Sequence, residues 1–323
     1  MNTWQESLFE REAFELESGE VLEPLRLSYS TTGNPQSARN GIVVLLPSAS
    51  GLKQWADAHV GIDAVFDPAV YFVITVDAIG GGRSSRPSEG LGRRFPMCTI
   101  RDNARAIYLL LTQALGLKKL RAIGGPSMGA MIALELGLMF PGFASTLLLY
   151  SPAIRCSTLF QVLIRAMTRI ARLPDGVYAA GLAYFPLLVS HRYLERMPLQ
   201  DAFTTAETVA RGWDRDWDRD DLMSRYAAVA SHDVTAGADR ELARVLAGLQ
   251  SAALLMPSSS DGLLPFSGAA AMAHMIPNST LVPIESDLGH WAASQPPGTP
   301  EYEQLRVATL KFLAGTAVNQ GKE

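Results

Sequence analysis

Gly125-Pro126-Ser127-Met128-Gly129 has the form G-x-S-x-G. It lies between an apolar run from Leu120 to Ile123 and an Ala/Leu/Met-rich amphipathic run that ends before Pro141. A strand that turns sharply into a helix holds a serine on a strained corner, its hydroxyl exposed and the next backbone N–H free. Small residues on either side let strand and helix come close. A serine at such a point also suits a helix N-cap, a reading that needs no chemistry. The strand before and the helix after favour the nucleophile.

A serine nucleophile needs a base within hydrogen-bond reach and a carboxylate to orient that base. The strand-to-helix serine resembles that of α/β-hydrolases, which implies that both partners follow later in the chain, at the ends of further sheet strands. The chain has five histidines. His59 precedes the serine, His191 and His232 lie in a helix-rich stretch, and His274 sits inside a helical run. His290, in Glu285-Ser-Asp-Leu-Gly-His-Trp291, follows the last strand and is the expected base, with a solvated loop histidine as the alternative. Asp261, in Ser258-Ser-Ser-Asp-Gly262, follows the strand ending at Met256 and is the expected acid. Its Asp-Gly pair also suits an Asx-turn. Asp287, three residues from His290, and Asp233 are the rival carboxylates. For the oxyanion, one N–H is expected from Met128. The other is expected from Ala49 in Pro47-Ser-Ala-Ser-Gly51, which otherwise reads as an ordinary polar turn.

These residues need a frame to hold them. Alternation in Ala13–Glu17 and Pro24–Tyr29 predicts an antiparallel hairpin. The continuous apolar runs Gly41–Leu46 and Tyr71–Val76 predict strands buried on both faces. Thr99-Ile-Arg-Asp102 has the form of a capping box opening a helix that Gly116 stops. Strands then alternate with helices through Thr146–Tyr150, which implies a mostly parallel sheet with helices on both faces. Residues 156–245 break this rhythm, with helical pattern, aromatics and arginines and no convincing strand. They read as a helical lid inserted into a core made of 1–155 and 246–323. The sheet resumes at Ala252–Met256 and Thr280–Ile284, and a helix over Tyr302–Leu313 closes the chain.

Composition excludes several classes. Apolar residues make up 48% and charged residues 19% of 323, which suits a filled core. A net charge of −4 predicts no nucleic-acid or anionic-membrane partner. Cys98 and Cys156 fit neither a disulfide framework nor a metal spacing, so no metal is expected. With no signal-peptide pattern and no long apolar run, a cytoplasmic location is expected. Gly80-Gly-Gly82 opens no helix, so it is no dinucleotide fingerprint. Asp216, Asp218 and Asp220 mimic a calcium loop but lack its Gly and its bidentate Glu. The stretch 213–220 reads instead as a solvated helix start with ion pairs.

From about residue 41 to 292 the chain resembles the homoserine O-acetyltransferase family of the α/β-hydrolases. The similarity rests on Phe95-Pro-Met-Cys-Thr-Ile-Arg-Asp-Asn-Ala-Arg105, Gly124-Gly-Pro-Ser-Met-Gly129, Ser260-Asp261-Gly-Leu-Leu-Pro265, Gly289-His290 and the Ile79-Gly-Gly81 loop. It implies the α/β-hydrolase fold, Ser127, Asp261 and His290 as nucleophile, acid and base, the lid, and a homodimer through that lid. The departures are Pro47-Ser-Ala-Ser-Gly51 in place of the family's oxyanion loop, Ala130, Ile132, Trp291 and a shorter lid. Arg165 aligns with the family's substrate-carboxylate arginine by its five-residue offset from Phe160, though the surrounding match is poor and an apolar helix face with Arg165 and Arg169 on its polar side explains the same residues with no ligand. The expected function is hydrolysis of a small carboxylic ester with no bound cofactor. The alternatives are O-acyl transfer, with acetyl-CoA or another acyl-CoA as co-substrate and homoserine or a similar hydroxyl compound as acceptor, and a non-catalytic binding protein.

Overall fold

Successive side chains of a strand point to opposite faces, so a run without polar residues is stable only where both faces are covered. Thr146–Tyr150 shows this. Leu147 and Leu149 enter one hydrophobic core, while Leu148 and Tyr150 enter a second on the other side of the sheet. The computed structural model describes residues 3–235 and 241–320.

The first strands are β1 (Gln5–Arg11), β2 (Phe14–Glu15), β3 (Val21–Leu22), β4 (Leu25–Thr32) and β5 (Ile42–Leu45). They are followed by β6 (Phe72–Val76), β7 (Ala122–Pro126), β8 (Thr146–Tyr150), β9 (Ala252–Met256) and β10 (Ser279–Leu281). Eight of them form one sheet in the order β1-β4-β6-β5-β7-β8-β9-β10. The pairs β1·β4 and β4·β6 are antiparallel, and every pair beyond them is parallel. Helices α1 (Ile100–Leu109) and α2 (Met128–Met139) pack on one face, placing Ile107 and Leu134 in its core. The capping box at α1 is present: Asp102 N–H donates to Thr99 Oγ1, and Thr99 N–H donates to Asp102 Oδ2, each at 3.0 Å.

Between β8 and β9 the chain forms α3 (Thr158–Ile170), α4 (Gly176–Leu188), α5 (His191–Arg196), α6 (Leu199–Asp216), α7 (Arg219–Ala230) and α8 (Leu242–Ala247). Residues 236–240 of the expected insertion lie outside the described residues. The two ends of α3–α7 meet. Cys156 N–H donates to His232 O, and Val234 N–H donates to Ile154 O, both at 2.9 Å. After β9, α9 (Phe266–Met275) joins α1 and α2 on their face, and α10 (Pro300–Gln320) packs on the other. Among the described residues, no helix is long and apolar enough to cross a membrane.

One expectation is corrected. Pro24–Tyr29 does not pair with Ala13–Glu17; β4 pairs instead with β1, and Phe14–Glu15 reaches only Val21–Leu22. Apart from the half-buried Phe9, the residues of β1 are exposed. A charged edge strand of this kind resists adding a further strand, and it carries no apolar pattern to announce itself.

Candidate active site

The sheet delivers Ser127 at the carboxyl end of β7, where α2 begins. Its φ of 53° and ψ of −112° are a strained backbone for a residue with a side chain, costing about 1–3 kcal/mol that the surroundings must hold. Those surroundings are tight: Ser127 N–H donates to Tyr150 O at 2.8 Å. A Cβ on Gly125 or Gly129 would run into the backbone carbonyl of Leu46. The two glycines of the motif therefore let β7 and α2 sit against β5. Met128 is the first residue of α2, so its N–H has no partner one turn back. Among the described residues, neither this N–H nor that of Ala49 donates to a protein acceptor.

His290 stands in a short helical turn, Gly289–Ser294, beyond β10. Its Nε2 is 3.0 Å from Ser127 Oγ, and its Nδ1 is 2.6 Å from Asp261 Oδ2. The other carboxylate oxygen, Asp261 Oδ1, accepts from Leu263 N–H and Leu264 N–H, both at 2.9 Å. The Asx-turn expected of Asp261 is present, and it fixes the carboxylate that faces the imidazole. The rivals are engaged elsewhere. Asp287 pairs with Arg192 and Arg196, and Asp233 with Arg155. His59 is buried beside Trp55 and Tyr302, and burial pushes its imidazole down to about 3. His191 and His274 are exposed.

Above Ser127 lies a cavity of about 130 Å³. Ser48, Ala49 and Ser50 line one side; Phe160, Tyr184, Trp213 and Tyr226 reach in from the helices between β8 and β9. Its lining holds no Lys, Arg, Asp or Glu among the described residues. A larger apolar groove of about 880 Å³ between β10 and α10 contains none of Ser127, Asp261 or His290. Arg165 is not brought to the site. It stands on the exposed side of α3, whose buried side is Phe160, Ile164 and Met167.

Reading residues in order missed what holds the loop containing Ala49. Arg225, on α7, donates from Nη2 to Ser48 O at 2.7 Å, and Trp217 Nε1 donates to Ser50 O at 3.2 Å. The only signal was two tryptophans four residues apart. The stretch 213–220 is the end of α6 and the start of α7, capped by Asp218. Its expected pairs form between neighbours, Arg215 with Asp216 and Arg219 with Asp220, while Trp213 and Trp217 turn inward.

A second buried polar cluster joins α1 and α2 to the end of α7. Glu135 Oε2 is 3.3 Å from Arg101 Nη1, and its Oε1 is 3.7 Å from His232 Nδ1. Burial pushes the Glu135 carboxyl up to about 7 against the pull of Arg101, and it pushes His232 down to about 4.

The chain as a whole is similar to known proteins. The family described as the alpha/beta hydrolase fold matches residues 41–297. The chain belongs to the α/β-hydrolases. This α/β-hydrolase is 26% identical over 316 residues to a homoserine O-acetyltransferase of Chlorobium chlorochromatii, covering 86% of this chain and 88% of that one. It is also 26% identical over 300 residues to an ethyl acetate hydrolase of Pseudomonas veronii, covering 85% and 86%. Among solved structures, an acetylester hydrolase from Corynebacterium glutamicum superposes with a TM-score of 0.87 at 20% identity, over 96% of each chain. A homoserine O-acetyltransferase from Staphylococcus aureus gives 0.84 at 21%, over 96% of this chain and 95% of that one. At those identities, the superpositions speak for the fold.

Proposed function

We propose that this α/β-hydrolase cleaves small, uncharged carboxylic esters through an acyl-serine. Ser127 Oγ attacks the ester carbonyl while His290 Nε2 takes its proton, and Asp261 holds the imidazole in the required tautomer. The N–H groups of Ala49 and Met128 receive the oxyanion. The C–O bond to the alcohol then breaks, and the alcohol leaves with the proton from His290. Water attacks the acyl-serine by the same route in reverse and releases the carboxylic acid. The helices α3–α8 act as a lid that shapes the cavity.

The observation that carries the reading is a Ser127–His290 contact of 3.0 Å inside a small cavity with no fixed counter-charge. Pockets for drug-sized ligands run to ~300–1,000 Å³, so this one suits short acyl and alcohol groups. An amino-acid acceptor such as homoserine brings a carboxylate and an ammonium, and burying either unpaired costs several kcal/mol. The lining offers neither charge a partner. Acyl transfer from an acyl-CoA remains the second reading, supported by similarity to homoserine O-acetyltransferases over most of the chain.

The deciding experiment follows both reactions in one preparation. Ethyl acetate and p-nitrophenyl acetate should be hydrolysed, a fluorophosphonate should label Ser127, and Ser127→Ala should abolish both. Thiol release from acetyl-CoA that depends on homoserine or serine, with little ester hydrolysis, would establish transfer instead. A folded protein with no labelling and no turnover would leave a binding role.

A further inference from the structure

Arg225 is an expensive residue in its position. It is 1% exposed, lies over the Trp217 ring at 5.1 Å, and leaves its Nε and Nη1 without a hydrogen-bond partner among the described residues. Asp77 is close enough to act on its charge, yet burial still pushes the guanidinium down to about 10. A side chain needed only for packing would carry no such cost, since an apolar residue of that volume fills the same space. Its one donated bond goes to Ser48 O at 2.7 Å.

That acceptor is informative. The carbonyl of Ser48 and the N–H of Ala49 belong to one planar trans peptide, so they point in opposite directions. Holding the oxygen therefore aims the N–H. The same oxygen accepts from Gly51 N–H at 3.1 Å, and the next carbonyl but one, Ser50 O, accepts from Trp217 Nε1 at 3.2 Å. The carbonyl oxygens of Ser48 and Ser50, the residues on either side of Ala49, are thus held by Arg225 of α7 and by Trp217 just before α7, while the Ala49 N–H is left without a protein acceptor among the described residues. Ala49 lines the cavity, and rotating the Ser48–Ala49 peptide would redirect its N–H and break two bonds to Ser48 O.

We propose that Arg225, together with Trp217, is a positioning residue that fixes the Ser48–Ala49 peptide so that the Ala49 N–H receives the oxyanion. This rests on the esterase reading above. It makes the second oxyanion donor depend on the docked helices between β8 and β9, so these helices set catalytic rate as well as cavity shape. Neither side chain touches substrate; both act through the backbone of the loop.

The test uses the full chain and begins with the wild type, whose labelling at Ser127 and hydrolysis of p-nitrophenyl acetate establish the underlying reading. Failure there overturns that reading and this one with it. With an active wild type, Arg225→Met should fold with unchanged circular dichroism and lose kcat by about 10². KM should move by no more than about twofold, because the interaction is made in the transition state. The affinity for a trifluoromethyl ketone, whose adduct with Ser127 carries the oxyanion, should weaken by the same factor as kcat. Arg225→Lys, which keeps the charge and one donor but not the planar fork, should recover part of the loss. A folded Arg225→Met variant with wild-type kcat, or with reduced kcat and unchanged ketone affinity, overturns the proposal. If Arg225→Met does not fold, Trp217→Phe decides. It keeps a ring beneath the guanidinium, removes only the donor to Ser50 O, and should lower kcat and ketone affinity together by about tenfold. Wild-type values for both would sink it.

Discussion

At Asp261 one carboxylate serves three partners, and this sets what its amide can do. The N–H groups of Leu263 and Leu264 hold Oδ1. In Asp261→Asn the amide oxygen takes that place and the NH2 turns to His290. The imidazole is then forced into the tautomer that cannot accept from Ser127. We expect kcat on p-nitrophenyl acetate to fall by about 10⁴ with little change in melting temperature. Wild-type kcat in a folded variant would remove Asp261 from the machinery. The cavity wall gives a second residue-level prediction. Leu188→Ala widens it, and the kcat/KM ratio for butyrate over acetate esters should rise by about tenfold. Ser127, Asp261 and His290 could be singled out from the chain because each sits beside a strand or helix signal that is local. Arg225 could not, because its acceptor Ser48 lies 177 residues away and nothing near either residue marks the contact.

Among the elements, the apolar strands β5, β6, β8 and β9 were the easiest to read, since double burial leaves a continuous hydrophobic run. The strand β1 was missed for the opposite reason: its partner is β4 on one side and solvent on the other, and its mostly exposed residues form no continuous apolar run. The junction of α1, α2 and α7 was also invisible, because Arg101, Glu135 and His232 are far apart in the chain. Its two titrating groups act in opposite directions. Glu135 is raised from 4.5 to about 7, so the stability it contributes is full below 4.5 and is lost as pH rises toward 7. His232 is lowered from 6.5 to about 4, so its contribution is full above 6.5 and is lost as pH falls toward 4. Glu135→Gln removes the first effect. Urea unfolding should show the variant gaining stability over the wild type between pH 4.5 and 7.5, by on the order of 3 kcal/mol. An offset that does not change with pH would show that the carboxyl titrates normally.

For the whole molecule, the helices between β8 and β9 carry an exposed apolar pair. Leu159 and Val162, three apart on α3, are 51% and 63% exposed, and apolar residues at that spacing share one helix face. We expect them to lie in a contact between two copies. Sedimentation should give a dimer, and Val162→Glu should give a monomer; a monomeric wild type would refute this. The meeting of the segment's two ends, through Cys156 with His232 and Ile154 with Val234, has an evolutionary corollary. Residues 157–231 leave and rejoin the chain at one point, so a homologous cassette can be exchanged there without shifting any strand's register. Chimeras should therefore inherit the melting behaviour of the recipient and the substrate range of the donor. Loss of folding in every such graft would show that the junction is not modular.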